Sequence, residues 1–267
     1  MNKAFVFSIL TFLSSVIFAA MSHDENLLVF SEANKAFSQA NKATNSDDSQ
    51  KLYEQAILGY EKIVEQGGIK NAGLYYNLGN AYLLKNNIAK AILNYRRAQM
   101  LDSSNPDIYK NLNFARSRRI DNISVSVEKK VMERLFFWHY DFSMNTKFVI
   151  GGIFFAIFCI WLTLKLWLAK WPTSPAVCVI SILIALSIAA SVLIEYHGQI
   201  TNRSGVITAQ KVIARQGDGD NYPQSFDEPL HTGLEFDLLE HRGGWMHIKI
   251  ANGHDTWIPE RSAELIY

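Results

Sequence analysis

The segment NAGLYYNLGNAYLLKNNIAKAILNYRRAQ, residues 71–99, decides the fold of the first half of the chain. Apolar residues recur at helical spacing on both sides of Asn86-Asn87, which predicts two helices joined by a short turn. Gly79 and Ala91 are small residues, and we interpret them as the positions where the two helices cross closely. The segment therefore predicts a tightly packed helical hairpin.

The hairpin pattern recurs along the chain. Tyr109 follows Tyr75 by 34 residues, and Leu112 follows Leu78 by the same interval. This interval is the period of the tetratricopeptide (TPR) repeat. The segment resembles a TPR repeat, and Tyr75 takes the position where such repeats usually have Trp. The residues that carry the resemblance are Tyr75-x-x-Leu78-Gly79-x-x-Tyr82, Ala91-x-x-x-Tyr95 and Ala98.

The resemblance covers residues 24–120. An earlier, more degenerate repeat has Ala56-x-x-x-Tyr60 as its second helix and residues 26–43 as its first, with residues 45–50 as an enlarged polar turn. An unrelated bundle of helical hairpins is the alternative. TPR hairpins stack into a concave surface that holds a partner segment. The residues predicted to line it are Asn77, Asn80, Lys110 and Asn111; solvated or capping roles are the alternative for the three asparagines.

Three apolar segments indicate a membrane protein. Residues 1–20 have Lys3, a short apolar core and small residues near Ala20, which is typical of a secretory signal peptide; an uncleaved anchor helix is the alternative. Residues 148–168 and 174–194 are each apolar enough to cross a bilayer. A buried hairpin of a soluble protein is the alternative for these two.

The topology follows from the loop between the two predicted spans. The loop Lys165–Pro175 carries two lysines and no acid, which places it in the cytoplasm by the positive-inside rule. Both polar regions are then expected on the periplasmic or exterior side of the inner membrane. Residues 121–147 are interpreted as an extended linker and an interfacial segment. Its aromatic cluster at 135–140 suits contact with membrane lipid, with a small core element as the alternative.

Residues 204–267 have a strand pattern. Short alternating apolar stretches are separated by Gly, Asn and Asp turns, which predicts a small all-β barrel. Asn252-Gly253 is a strong hairpin signal. The order Gly244-Trp245, Asn252-Gly253, Trp257-Ile258 resembles a bacterial SH3 (SH3b) domain, although Thr256 stands where that family has a second Gly.

The SH3b resemblance implies a groove for peptide or cell wall. Exposed aromatic residues often form this groove, and the candidates here are Tyr222, Trp245 and Trp257. Core packing is the alternative for both tryptophans.

The order of these parts resembles the BatE proteins of the bacterial aerotolerance operon, which is encoded beside MoxR-type ATPases and von Willebrand A-domain membrane proteins. The resemblance rests on architecture, since no single motif marks that family. It implies a multidomain membrane protein that belongs to a periplasm-facing envelope complex and has a role in stress resistance. Its expected partners are proteins, among them the von Willebrand A-domain membrane proteins, together with peptidoglycan.

The sequence favours a scaffold rather than an enzyme. It has no Ser/His/Asp or Cys/His arrangement, no phosphate loop and no HExxH, so we expect no catalytic residue and no cofactor. The four histidines between 231 and 254 are not spaced as metal ligands, and we expect no metal site. The balance of 26 basic and 25 acidic residues argues against nucleic-acid binding. Two functions compete: a scaffold that binds a protein through the helical repeats, and a cell-wall sensor that acts through the SH3b domain.

Overall fold

The computed structural model describes residues 21–121, 123–124, 126–168, 174–201 and 203–266. The predicted signal peptide and residues 169–173 of the loop between the predicted spans lie outside these residues. The helices are α1 His23–Ala40, α2 Ser46–Glu65, α3 Ala72–Leu84, α4 Ile88–Leu101, α5 Pro106–Ser117, α6 Val127–Leu135, α7 Phe137–Tyr140, α8 Met144–Trp167 and α9 Pro175–Thr201. The strands are β1 Arg203–Ile207, β2 Lys211–Val212, β3 Leu230–His231, β4 Glu235–Arg242, β5 Trp245–Ile250, β6 Asp255–Pro259 and β7 Ala263–Ile266. The described chain is thus mostly helical, with a small antiparallel β region.

The chain divides between Lys70 and Asn71 into two compact units. In the first unit, α1 and α2 form a hairpin. A Cβ atom on Gly59 would lie 2.8 Å from that of Ala33, so the two helices cross where both side chains are small. The hydroxyl of buried Tyr60 donates a hydrogen bond to Asn34 Oδ1 at 2.7 Å.

Two boundaries of this hairpin differ from the sequence prediction. α1 ends at Ala40, and α2 begins at Ser46, inside the stretch 45–50 that was predicted to be an enlarged turn. That prediction is wrong because Asn45 is the N-cap of α2. Its side chain accepts a hydrogen bond from the backbone N–H of Asp47, which lets polar residues form the first helical turn.

The second unit begins with α3, α4 and α5. Gly79 is buried, and a Cβ atom there would lie 2.7 Å from the ring of Tyr95, which confirms that this glycine is a packing position. The turn between α3 and α4 contains Asn86 in the left-handed conformation, with φ of 60°. α5 buries one stripe, Ile108, Leu112 and Ala115, and α4 is the helix with which it makes its main contact.

α8 and α9 pair along their length and are both long and apolar enough to cross a membrane. Their mean hydropathies are 2.2 and 2.9. The helices approach closely at Gly151, where a Cβ atom would lie 3.1 Å from Ile188. The α9 residues Ser181, Ala185, Ile188 and Ser191 are buried, whereas most of the large apolar side chains on both helices are exposed. Exposed apolar side chains over such a length favour a lipid surrounding.

Residues 203–266 form what we call the β domain. Five strands lie in the order β6-β5-β4-β1-β7, all antiparallel, and β2 pairs with β3. β4 has an irregularity between Leu238 and Glu240. The core consists of Ile207, Val212, Ala214, Leu230, Leu234, Phe236, Met246, Ile248, Ile250 and Ile258.

The segment between α5 and α6 lies against the β domain. Ile123 packs on the β core, and the backbone N–H of Ser126 donates to Ala251 O at 3.2 Å. Asp121 accepts a hydrogen bond from the backbone N–H of His231 at 2.6 Å, and it also contacts the imidazole Nδ1 of that residue at 2.8 Å. The start of the predicted linker is therefore held against the β domain at Asp121, Ile123 and Ser126.

Candidate functional site

A polar cluster connects α3, α4 and α5. The hydroxyl of Tyr95 donates to Asn80 Oδ1 at 2.7 Å, and Asn111 Nδ2 donates to the same oxygen at 2.9 Å. Asn111 Nδ2 also lies 3.0 Å from the hydroxyl of Tyr76. Burial raises the pKa of Tyr95 above its usual range, so the phenol stays neutral and remains a donor. The cluster fixes the relative positions of the three helices.

Two of the predicted partner residues, Asn80 and Asn111, thus meet in this cluster. Their hydrogen bonds connect helices, so both residues have a structural role. Asn77 is half-buried on α3 and does not belong to the cluster. We call the surface formed by Asn77, Asn80, Asn111 and Phe114 the α3–α5 face.

Phe114 is the residue of this face that sequence reasoning missed. It lies one turn after Asn111 on α5, and 51% of its surface is exposed. The guanidinium of Arg118 lies 5.3 Å from its ring centroid. Phe114 thus presents an exposed aromatic surface one helical turn from the polar cluster. The sequence does contain a signal for Phe114. Its position on α5 falls outside the stripe formed by Ile108, Leu112 and Ala115, so its side chain is expected at the surface.

Lys110 is not among the residues that form the polar cluster. It lines a cleft of about 650 Å³ together with Arg96, Tyr109, Asp141 and Glu195, among others. This cleft lies between the α4–α5 turn, the start of α8 and the last turns of α9. Lys110 therefore lies at this cleft rather than in the polar cluster.

The β domain is joined to the helices by what we call the Glu235 junction: Glu235 with Arg96, Arg116 and Arg119. Arg116 Nε and Nη2 donate to the two carboxylate oxygens of Glu235, each at 2.7 Å. Arg119 Nη1 lies 3.4 Å and Arg96 Nε 3.3 Å from the same carboxylate. Burial raises the pKa of Glu235, but hydrogen bonding to Arg116 and the three positive charges outweigh burial, so the pKa lies below its ordinary value.

Further contacts extend this junction along α4. Lys90 Nζ lies 2.6 Å from a carboxylate oxygen of Glu264, and Arg97 Nη2 donates to the carbonyl of Leu265 at 3.1 Å. Gly233 has φ of +88°, and a Cβ atom there would lie 3.4 Å from Ile92. The β domain therefore covers one side of α4 and leaves the α3–α5 face uncovered.

The predicted aromatic groove of the β domain is only partly present. Tyr222 is 47% exposed and Trp245 is half-buried, but Trp257 is only 7% exposed. The imidazole of His247 stacks on Trp257 at 4.7 Å between centroids, and the Arg242 guanidinium lies 5.0 Å from the indole. The groove prediction is corrected for Trp257, which these two side chains cover.

A buried ion pair lies where α8 begins and α9 ends. Lys147 is 0% exposed, and its Nζ donates to Glu195 Oε2 at 2.5 Å and to the carbonyl of His139 at 2.6 Å. His139 Nδ1 lies 2.8 Å from Ser191 Oγ. Burial, and secondly the charge of Lys147, lowers the pKa of His139, which favours a neutral imidazole. These contacts tie α7 to the ends of both apolar helices.

Three histidines of the β domain, His231, His241 and His247, each pair with one carboxylate. His247 Nε2 lies 2.9 Å from Asp255, and His241 Nε2 lies 3.0 Å from Glu260. Over the described residues, no three His, Cys, Asp or Glu side chains converge as they would around a metal ion. Cys159 and Cys178 are both free thiols.

No protein-family model matches this chain, and a comparison with curated proteins finds no relative.

Proposed function

We propose that this protein is a non-catalytic, membrane-anchored scaffold of a periplasm-facing envelope complex. In this proposal α1–α5 are TPR-type repeats, α8 and α9 are transmembrane helices, and the β domain is an SH3b domain. The arrangement is that of a BatE-like protein with a role in stress or oxygen tolerance. Its partners are proteins, von Willebrand A-domain membrane proteins among them.

The observation that carries the proposal is the division of the helical surface. The β domain covers one side of α4 through the Glu235 junction, whereas the α3–α5 face keeps Phe114 exposed beside a hydrogen-bonded polar cluster. A preorganised face costs little ordering entropy on binding. The repeat assignment is supported by the 34-residue interval and by the close crossings at Gly79 and Gly59.

Anchoring is supported by two helices of sufficient length and apolar character. The orientation rests on the signal-like N-terminus and on the lysines of the loop between the spans. Alkaline phosphatase fused after Ser204 should be active, whereas the same enzyme fused at Lys170 should be inactive. The reverse activities would contradict the orientation without affecting the fold.

The scaffold proposal is tested by co-purification from membranes. Phe114→Ala and Asn77→Arg should each reduce the yield of the bound partner, because both change the α3–α5 face. Tyr109→Ala, an exposed aromatic on a different side of the same helix, is the matched control and should retain the partner. Equal yields from all three variants would contradict the proposal.

A second candidate function is binding of peptidoglycan by the β domain. It is favoured by Tyr222, which is exposed, and by Trp245, which keeps part of its surface in solvent. Aromatic side chains of this kind pack against sugar rings and peptide. Co-sedimentation of the full chain with purified cell-wall sacculi tests this function. Loss of sedimentation in Tyr222→Ala would support it, and absence of sedimentation by the native chain would exclude it.

A further inference from the structure

Two cavities meet at the outer ends of α8 and α9. The first is the polar cleft of about 650 Å³ that contains Lys110 and Asp141. The second is an apolar groove of about 380 Å³ between the interfacial segment and α9. Both are lined by His139 and Tyr140, so they adjoin. A polar cavity that adjoins an apolar one fits an amphipathic ligand.

The groove follows α9 inward from the polar cleft. Its α9 residues, Ser187, Ala190, Ser191 and Ile194, lie on one helical face and extend about 10 Å along the axis. Met132, Phe136 and Trp138 form the opposite wall. This part of α9 belongs to the apolar span, whereas Glu195, which follows it, lines the polar cleft. A hydrocarbon chain in the groove would therefore place its head group in the cleft.

The charges of the cleft indicate the kind of head group. Glu195 is occupied by Lys147, and Arg96 is held beside Glu235, so both of these charges already have opposite charges beside them. Lys110 and Asp141 are exposed, and neither is in an ion pair with a described residue. One available cation and one available carboxylate match the phosphate and the primary amine of phosphoethanolamine.

We propose that this composite cavity binds one phosphatidylethanolamine molecule of the surrounding bilayer. Lys110 contacts the phosphate, Asp141 accepts hydrogen bonds from the ammonium group, and one acyl chain lies along Ser187–Ile194. Phosphatidylcholine binds less well because its quaternary ammonium has no N–H to donate. Phosphatidylglycerol binds less well because it leaves Asp141 without a cation. The inference rests on the proposed membrane anchoring of α8 and α9.

The test uses the full chain in nanodiscs made from phosphatidylethanolamine, phosphatidylcholine or phosphatidylglycerol, followed by native mass spectrometry of retained lipid. The native chain should retain phosphatidylethanolamine in preference to the other two. Lys110→Gln should lower that retention by about fivefold, which is the contribution to affinity expected from one partly exposed charge pair. Asp141→Asn should remove the preference over phosphatidylglycerol. Lys211→Gln and Asp227→Asn, exposed in the β domain, are the matched charge controls.

The groove is tested separately with neighbouring alanines on α9. Ala190→Trp fills the groove and should displace the lipid, whereas Ala189→Trp is exposed on a different side of the helix and should not. Retention that is equal in Lys110→Gln, Ala190→Trp and the controls would overturn the proposal. Flotation with vesicles separates the two hypotheses. A chain that floats but selects no head group contradicts the lipid site alone, and a chain that does not float contradicts the anchoring as well.

Discussion

Arg116 and Glu235 are 119 positions apart in the chain and form a two-point ion pair, with both nitrogen–oxygen distances at 2.7 Å. The pair connects α5 to β4, and Arg96 and Arg119 add two further positive charges to the same carboxylate. This geometry makes the helices α3–α5 and the β domain one assembly rather than two modules on a flexible tether. Movement of the β domain is then expected to be transmitted to the helices.

A double-mutant cycle tests this connection. Glu235→Ala should destabilise the assembly by about 3 kcal/mol, since it leaves three arginines without their carboxylate. Arg116→Ala should cost about 1.5–3 kcal/mol, since Glu235 loses its two hydrogen bonds to Arg116 but keeps Arg96 and Arg119 beside it. The double variant should recover part of that loss, with a coupling of about 1–3 kcal/mol. Urea unfolding of the full chain in detergent measures the cycle, and Arg118→Ala is the control from the same helix. Strict additivity would show that the two residues do not interact.

The junction should also respond to acid. Because the pKa of Glu235 is lower in the folded protein than in the unfolded chain, its contribution is fully present above the ordinary glutamate pKa of about 4.3. That contribution is lost as the pH falls through the lowered folded value. The thermal midpoint of the native chain should therefore fall more steeply below about pH 4 than that of Glu235→Gln. Identical pH profiles for the two proteins would contradict the assignment.

Two glycines on α3 make a matched pair for the hairpin crossing. A Cβ atom on Gly79 would lie 2.7 Å from the ring of Tyr95, whereas one on Gly73 would meet only Asn71 Oδ1, at 3.6 Å. Gly79→Ala should cost about 1–3 kcal/mol through overpacking. Gly73→Ala should be neutral or stabilising by up to about 1 kcal/mol, because alanine has the higher helix propensity. Thermal melting of both variants checks the prediction, and equal melting midpoints would refute the close crossing.

The buried ion pair at the ends of α8 and α9 should matter for folding in the membrane. Lys147→Ala leaves Glu195 without a partner and should cost about 3–5 kcal/mol. The double change Lys147→Ala/Glu195→Ala should restore part of the loss, since no isolated charge remains. Protease resistance of the full chain in membranes is the measurement. Lys165→Ala, at the opposite end of α8, is the control and should behave as the native chain does.

The hairpin crossing was predictable from sequence because Gly79 and Tyr95 lie within one local repeat. The existence of α8 and α9 was predictable from apolar composition, but their bounds were not: α8 begins at Met144, four residues before the predicted span, and α9 continues to Thr201, seven residues past it. The Glu235 junction was not, since the tract Arg116–Arg119 looks like any basic helix end until the fold brings β4 beside it. The burial of Trp257 agrees with the alternative of core packing that the sequence left open, but the sequence could not show that His247 on β5 and Arg242 on β4 cover the indole. Alternation along β6 cannot show which side chains cover an outward-facing indole.

The central claim is that the α3–α5 face carries the main contact with a partner protein. Its most direct test places a photocrosslinking amino acid at Phe114 or at Tyr222 in the full-length chain and irradiates intact membranes. The account predicts a protein adduct from position 114, which Asn77→Arg should abolish, and a weaker adduct or none from position 222. A strong protein adduct from position 222 alone, with position 114 unreactive, would contradict it and would assign recognition to the β domain.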